Sequence, residues 1–154
     1  MTTTADTARA IIDTNLYLTL ATADTTGRPW ATPVYFAPAD YRELVWVSSP
    51  EARHSQNIAA RPEVGIVVFD SRVPINCGQA VYMSAVAELV PAGDLERCLD
   101  AYSRSAKDRG GAAWSRDDVD PSARLRLYRA TASEQWVLDS HDRRVPVPLG
   151  LPVT

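Results

Sequence analysis

Cysteine is scarce. Only Cys77 and Cys98 occur in 154 residues, which excludes a disulfide framework and makes free thiols in a reducing compartment the expectation. Histidine is as rare: His54 and His141 stand far from each other and from both cysteines, without the paired spacing that a zinc site needs. No run of Lys or Arg appears and the formal net charge is -3, so a general nucleic-acid surface is not expected. The most apolar stretch, Val64 to Phe69, is far too short to span a bilayer, and MTTTADTARAIIDTN at the start lacks a charged segment followed by a long apolar run. A soluble, cytoplasmic protein is therefore expected. Also missing are a Gly-rich strand-to-helix loop and a G-x-S-x-G elbow, which argues against dinucleotide-binding, P-loop and hydrolase chemistry. Asp139-Ser140-His141-Asp142 has the residue types of a triad, but neighbours in one loop rarely point at one another as nucleophile, base and orienter, and a solvated turn is the simpler reading.

Against these absences stands a composition of 45% hydrophobic and 23% charged residues, which suits one domain over residues 1–154 with a core of its own. A short helix over Thr7 to Asp13 places Ala8, Ile11 and Ile12 on one side. LYLTLATA (16–23) and VYMSAVAELV within 79–90 alternate at the period of half-buried strands. Between 16–23 and RPWATPVYFA (28–37) lies turn chemistry, so the two form a hairpin. Pro29 and Pro33 limit the second strand to an edge, a bend, or a backbone left free for a ligand. VGIVVFD (64–70) is apolar throughout, which predicts a strand buried on both faces. DLERCLDAYSRSA (94–106) carries Leu95, Cys98, Leu99 and Tyr102 on one helical stripe, the pattern of a helix packed on a sheet. Lys107 to Ser122 is a polar loop or weak helix, LRLYRA and EQWVLD are two more short strands, and residues 143–154, with Pro146, Pro148 and Pro152, form an extended tail. Six to seven antiparallel strands with two or three short helices at their ends make a mainly β, α+β barrel.

The most informative stretch is LVWVSSPEARHSQNIAARP (44–62), where an apolar strand runs into a helix ending near Ala60. Ser48 or Ser49 can cap it, Pro50 suits its opening turn, and Glu51 lies three residues after Ser48 as in a capping box. The unpaired amides and dipole of such a helix start favour negative charge, so Arg53 in the first turn is unfavourable unless an anion sits there. Phosphate fits that description, with a solvated surface Arg as the alternative. His54 shares a helical face with Ile58, so a partly buried, satisfied histidine is as good a reading as a phosphate ligand. A small barrel with a phosphate site and no acid/base constellation can still be a redox enzyme, because a flavin carries out hydride transfer itself and asks the protein for binding and orientation.

Three segments give the chain a resemblance to the pyridoxamine 5'-phosphate oxidase-like family of FMN-binding split barrels, over Ile11 to Leu138. GRPWATPVYF resembles the family's strand along the isoalloxazine ring, VSSPEARHSQNIAARP its Ser-Arg-Lys helix start and closing Asn-Pro, and YRATASEQWVLD with HDRR its C-terminal strands with their Trp and Arg. The resemblance implies a split barrel that binds FMN. Thr32, Pro33, Val34 and Tyr35 would border the ring, Val47 and Ser48 would meet the ribityl chain and phosphate, and Arg53 with His54 would hold the phosphate. Gln79 could reach the ring, and Trp136 and Arg143 stand at the positions of the family's C-terminal Trp and Arg. A homodimer with two cofactors shared across its interface and a small soluble substrate are implied as well. His54, Thr32, Ala37 and Arg61 replace the family's Lys, Arg, Lys and Asn, which predicts weaker phosphate binding. A deazaflavin in the same cleft, or a non-catalytic flavin- or heme-binding module with His54 or His141 as axial ligand, are the competing readings.

Overall fold

The computed structural model describes residues 1–149. Helix α1 (Thr4–Thr14) begins three residues before the expected Thr7 because Thr3 caps it: the Thr3 hydroxyl accepts the Asp6 N–H at 3.1 Å, and the Asp6 carboxylate accepts the Thr3 N–H at 2.9 Å. Its Ala8, Ile11 and Ile12 are buried, as the spacing predicts.

Strands β1 (Tyr17–Ala23), β2 (Pro29–Tyr35), β3 (Ala37–Pro38), β4 (Glu43–Ser48), β5 (Glu63–Phe69), β6 (Ala80–Leu89), β7 (Arg126–Leu138) and β8 (Arg144–Pro146) form one antiparallel sheet ordered β2-β1-β5-β6-β7-β4-β3, with β8 on β7. The sheet curls around a core that includes Leu18, Leu20, Trp46, Ile66, Val68 and Met83 and is closed on one side by α1. Among the described residues no ladder joins β2 to β3 or β4, so the barrel is split there. Helix α2 (Arg53–Ala60) packs on β1 and β2, and helix α3 (Leu95–Asp108) covers the outer face of β3 and β4 through Cys98, Leu99 and Tyr102. The expected fold class is the observed one, and the strand with two prolines is an edge. Among the described residues no helix is long and apolar enough to cross a membrane.

Two expectations need correction. Strand β5 is not buried on both faces: Val64, Ile66 and Val68 point into the core, whereas Gly65 and Val67 are half-buried on the outside and Phe69 is exposed. An antiparallel sheet curled around one core has one covered face. LRLYRA and EQWVLD are not two strands but one, β7, broken in phase by a bulge. Ala132 pairs with Ala85 and Glu134 with Ser84, which leaves Ser133 over; its hydroxyl bonds to the Ser84 carbonyl at 3.0 Å. The inward residues are therefore Tyr128, Ala130 and Ala132 before the bulge and Gln135 and Val137 after it.

The extended tail is anchored through its described part. Arg144–Pro146 pairs with β7, the Val147 N–H reaches the Gln135 carbonyl at 2.8 Å, and Val147 is buried. The rest of that expectation, residues 150–154, lies outside the described residues.

Candidate functional site

Ser48 and Ser49 do not start α2. Its N-cap is Ala52, without a side-chain cap; the Ser49 hydroxyl instead accepts the Glu51 N–H at 3.2 Å and the Ser49 carbonyl the Ala52 N–H at 3.1 Å, a turn that delays the helix to Arg53. The reason lies in strand phase. Ser48 is the last residue of β4 and faces inward, where its hydroxyl pairs with His54 Nε2 at 2.8 Å and is no longer free to cap. Burial pushes the His54 imidazole below its ordinary pKa. The ring is therefore neutral at pH 7, and the charge at this helix start comes from Arg53.

Arg53 lies over the Trp30 ring, 4.4 Å from its centroid. The stacked pair lines a cavity of about 260 Å³ that also takes in Asp24, Arg28, Pro29, Gln56 and Asn57. Asp24 is already engaged by the Thr26 hydroxyl at 2.6 Å and by the Thr26 and Arg28 amides. Two arginines and one carboxylate thus line one small cavity beside the first turn of a helix; among the described residues neither Arg28 nor Arg53 forms a salt bridge, although, with the Thr26 hydroxyl bond, the charge of Arg28 helps to lower the Asp24 pKa. That combination attracts an anion. Asn57 anchors the wall, its amide donating to the buried Thr22 hydroxyl at 3.0 Å. Trp30, Arg28 and Asn57 escaped sequence reasoning; Arg28-Pro29-Trp30 beside a turn was the available signal, but its proximity to Arg53 was not.

The remaining candidates fall into two groups. On edge strand β2, Thr32 and Val34 face the barrel interior opposite Leu20 and Leu18, whereas Pro33 and Tyr35 face outward opposite Thr19 and Tyr17. Val47 also points outward, towards α3. These residues run from the Arg53 cavity along the free edge of the sheet. Gln79, Trp136 and Arg143 lie elsewhere. Gln79 precedes β6, whose first residue Ala80 pairs with Phe69 at the far end of β5; Trp136 lies opposite Tyr82 and Pro146; Arg143 is exposed and paired with Asp139 at 3.0 Å. Register sets the separation. Trp30 lies opposite Thr22, and Gln79 lies near the level of Tyr17, which is five residues along β1 and three strands across, or about 16 Å by 14 Å at ~3.3 Å per residue and ~4.8 Å per strand. Ala37 and Arg61, the other departures, are respectively buried beneath α3 and bonded to the Thr25 carbonyl at 3.1 Å.

The loop Asp139 to Asp142 is a turn: Asp139 accepts the His141 and Arg143 amides at 2.8 and 2.9 Å, and Asp142 has a positive φ of 60°. Ser140 and His141 are exposed on it.

Comparison with known proteins adds three solved structures. A heme binding protein from Mycobacterium smegmatis matches at 21% identity and a TM-score of 0.78, over 96% of this chain and 58% of that one. HutZ, a heme storage protein from Vibrio cholerae, matches at 21% identity and a TM-score of 0.66, over 84% of this chain and 90% of its own. A candidate pyridoxamine 5'-phosphate oxidase from Listeria innocua matches at 17% identity and a TM-score of 0.65, over 87% and 97%. At these identities the likeness is one of fold. This chain spans less than two thirds of the length of the Mycobacterium protein. No curated protein sequence matches significantly. The family model for pyridoxamine 5'-phosphate oxidase matches residues 4–136, and on that match over most of its length the chain belongs to the pyridoxamine 5'-phosphate oxidase family.

Proposed function

We propose that the protein is an FMN-dependent oxidoreductase acting on a small soluble molecule. The observation that carries this reading is the Arg53 guanidinium stacked on Trp30 beside a cavity shared with Arg28, at the first turn of α2. The donor set fits a phosphate monoester: planar guanidinium groups suited to two-point hydrogen bonding, the amide side chains of Gln56 and Asn57, and the unpaired N–H groups of a helix start. From there edge strand β2 offers a backbone unpaired on one side, along which a flavin ring could lie from Thr32 to Tyr35. Bound there, the flavin would supply the hydride chemistry, and the chain would bind and orient it. Arg53 and Arg28 would hold the phosphate, Ser48 and His54, paired with each other and outside the lining of that cavity, would fix the start of α2, and Thr32 to Tyr35 would border the ring.

The reading extends to a homodimer. Gln79, Trp136 and Arg143 lie too far from the Arg53 cavity to meet the same flavin within one chain, so their part in the site would be supplied by a second copy. An outward ladder of Val67, Tyr82, Trp136 and Pro146 across four strands offers that copy an apolar face. A deazaflavin with a longer anionic tail would want more cations than Arg28 and Arg53. Heme would need an axial ligand; His54 is engaged by Ser48, and the exposed His141, its Nδ1 3.4 Å from the Ser140 hydroxyl, is the other histidine candidate. The absorption spectrum of the purified protein tests the proposal directly. Flavin bands on the isolated or FMN-reconstituted protein are expected, and a heme Soret band with no flavin uptake would refute it.

A further inference from the structure

A second cavity, of about 520 Å³, opens on the far side of Tyr35, between α3 and the segment that follows it. Its wall is a chain of aromatic rings packed edge to face: Tyr17 on Tyr35 at 6.2 Å, Tyr35 on Tyr102 at 5.6 Å, and Tyr102 on Trp114 at 5.5 Å. Local chemistry builds this wall. Gly110 takes a φ of +85°, and the Gly110 and Gly111 amides bond back to the Lys107 and Ala106 carbonyls at 3.1 and 2.8 Å. This turn ends α3 and folds residues 112–114 over the helix. The Trp114 backbone N–H then donates to the Ser103 hydroxyl at 2.8 Å, which ties down the segment that carries the indole, and the Tyr35 and Ser105 hydroxyls bond at 2.8 Å, which holds the Tyr35 ring to the same helix.

Arg109 and Asp118 supply the charged groups of the lining. One Arg109 nitrogen donates to the Asp13 carbonyl at 2.7 Å, and among the described residues its guanidinium has no carboxylate partner. Asp118 is turned to the Ser115 amide and hydroxyl, at 2.8 and 3.2 Å.

We infer that this cavity binds a flat aromatic monocarboxylate, its ring among Tyr17, Tyr35, Tyr102 and Trp114 and its carboxylate on Arg109. The volume suits a ligand of two fused rings. Ring edges and faces are presented together, which favours an aromatic over an aliphatic guest. One cation with part of its hydrogen-bonding capacity spent, beside an aspartate, matches a single negative charge and disfavours a phosphate dianion. Burial pushes the Tyr102 phenol up to about 12, so that ring stays neutral. The inference goes beyond the flavin reading: the cavity meets the proposed flavin strand at Tyr35 alone and lies away from Arg53.

The test is calorimetric titration of the full-length protein with 2-naphthoate, 2-naphthylmethanol and 2-naphthyl phosphate, for wild type, Arg109→Gln and Tyr17→Ala. Tyr17 is 58% exposed, so its removal leaves the fold intact. Naphthoate is expected to bind best. Arg109→Gln should weaken it about 10-fold and leave naphthylmethanol unchanged, the effect of losing one charge-assisted hydrogen bond, while Tyr17→Ala should weaken both. Equal naphthoate affinity in wild type and Arg109→Gln, tighter binding of the phosphate, or no saturable binding would overturn the inference. FMN uptake is read separately in its own absorbance, so failure of the flavin reading leaves this result standing.

Discussion

Replacing Arg53 with alanine isolates the anion site. Arg53 holds a cation–π contact with Trp30 at 4.4 Å and has no ion pair among the described residues. In the free protein its removal forfeits only the stacking, worth about 0.5–1 kcal/mol at an exposed site, and relieves the unfavourable cation at a helix start. Folding of the FMN-free protein should hardly change. With FMN bound, a charge-assisted hydrogen bond to the phosphate worth ~1.5–3 kcal/mol is lost, so affinity should fall roughly 10- to 100-fold. Riboflavin is the control: without the phosphate it should bind wild type and Arg53→Ala almost equally. Titrations followed by flavin fluorescence, with both ligands and both proteins, decide the matter. An unchanged FMN affinity in Arg53→Ala would refute the reasoning and reduce Arg53 to a surface residue stacked on Trp30.

Four further outcomes are expected. Because burial lowers the His54 pKa, the folded state takes up its proton at lower pH than the unfolded chain; stability should fall as pH drops below the ordinary value of 6.5, and His54→Gln should flatten that slope in urea melts at pH 5 to 7. The fully buried Cys98, which donates to Glu43 at 3.1 Å, has its thiol pushed up to about 11 from 9.0; its contribution is whole below pH 9 and lost as pH rises towards 11, and in the native protein an alkylating reagent should modify the exposed Cys77 alone. Gly110→Ala places a Cβ at φ +85°, costs about 1–2 kcal/mol, and should lower Tm by a few degrees in calorimetry. Light scattering should give a dimeric mass at micromolar concentration, and Trp136→Glu on the outer face should shift it to a monomer; a monomer with full FMN occupancy would contradict the shared site.

What the sequence determined by itself were the features that depend on neighbours along the chain. Period-two alternation follows from the pleat, so β1 and β6 were legible. The stripe of α3 follows from 3.6 residues per turn, and the edge position of β2 from two prolines that cannot donate to a ladder. The local pattern of residues 44–62 also located Arg53 in a helix's first turn, and the family resemblance, resting on such stretches too, assigned it to a phosphate. Local rules failed where a distant partner intervened. Ser48 looks like a cap from its neighbours, yet His54 across the turn takes its hydroxyl. β7 reads as two strands because one unpaired residue, Ser133, shifts its phase, and only the register against β6 reveals it as one. Val67 and Phe69 look like core, but the side of a strand that faces the core is decided by how the whole sheet curls.

The same distinction governs the site. That Arg53 would meet Trp30, 23 positions earlier in the sequence, depends on α2 crossing the end of the β1–β2 hairpin. That Tyr17, Tyr35, Tyr102 and Trp114 would share a wall depends on α3 returning over the outer face of the sheet. Tertiary structure decided these encounters, and it placed Gln79 and Trp136 away from Arg53, because strand order sets distances across the sheet that no spacing along the chain encodes.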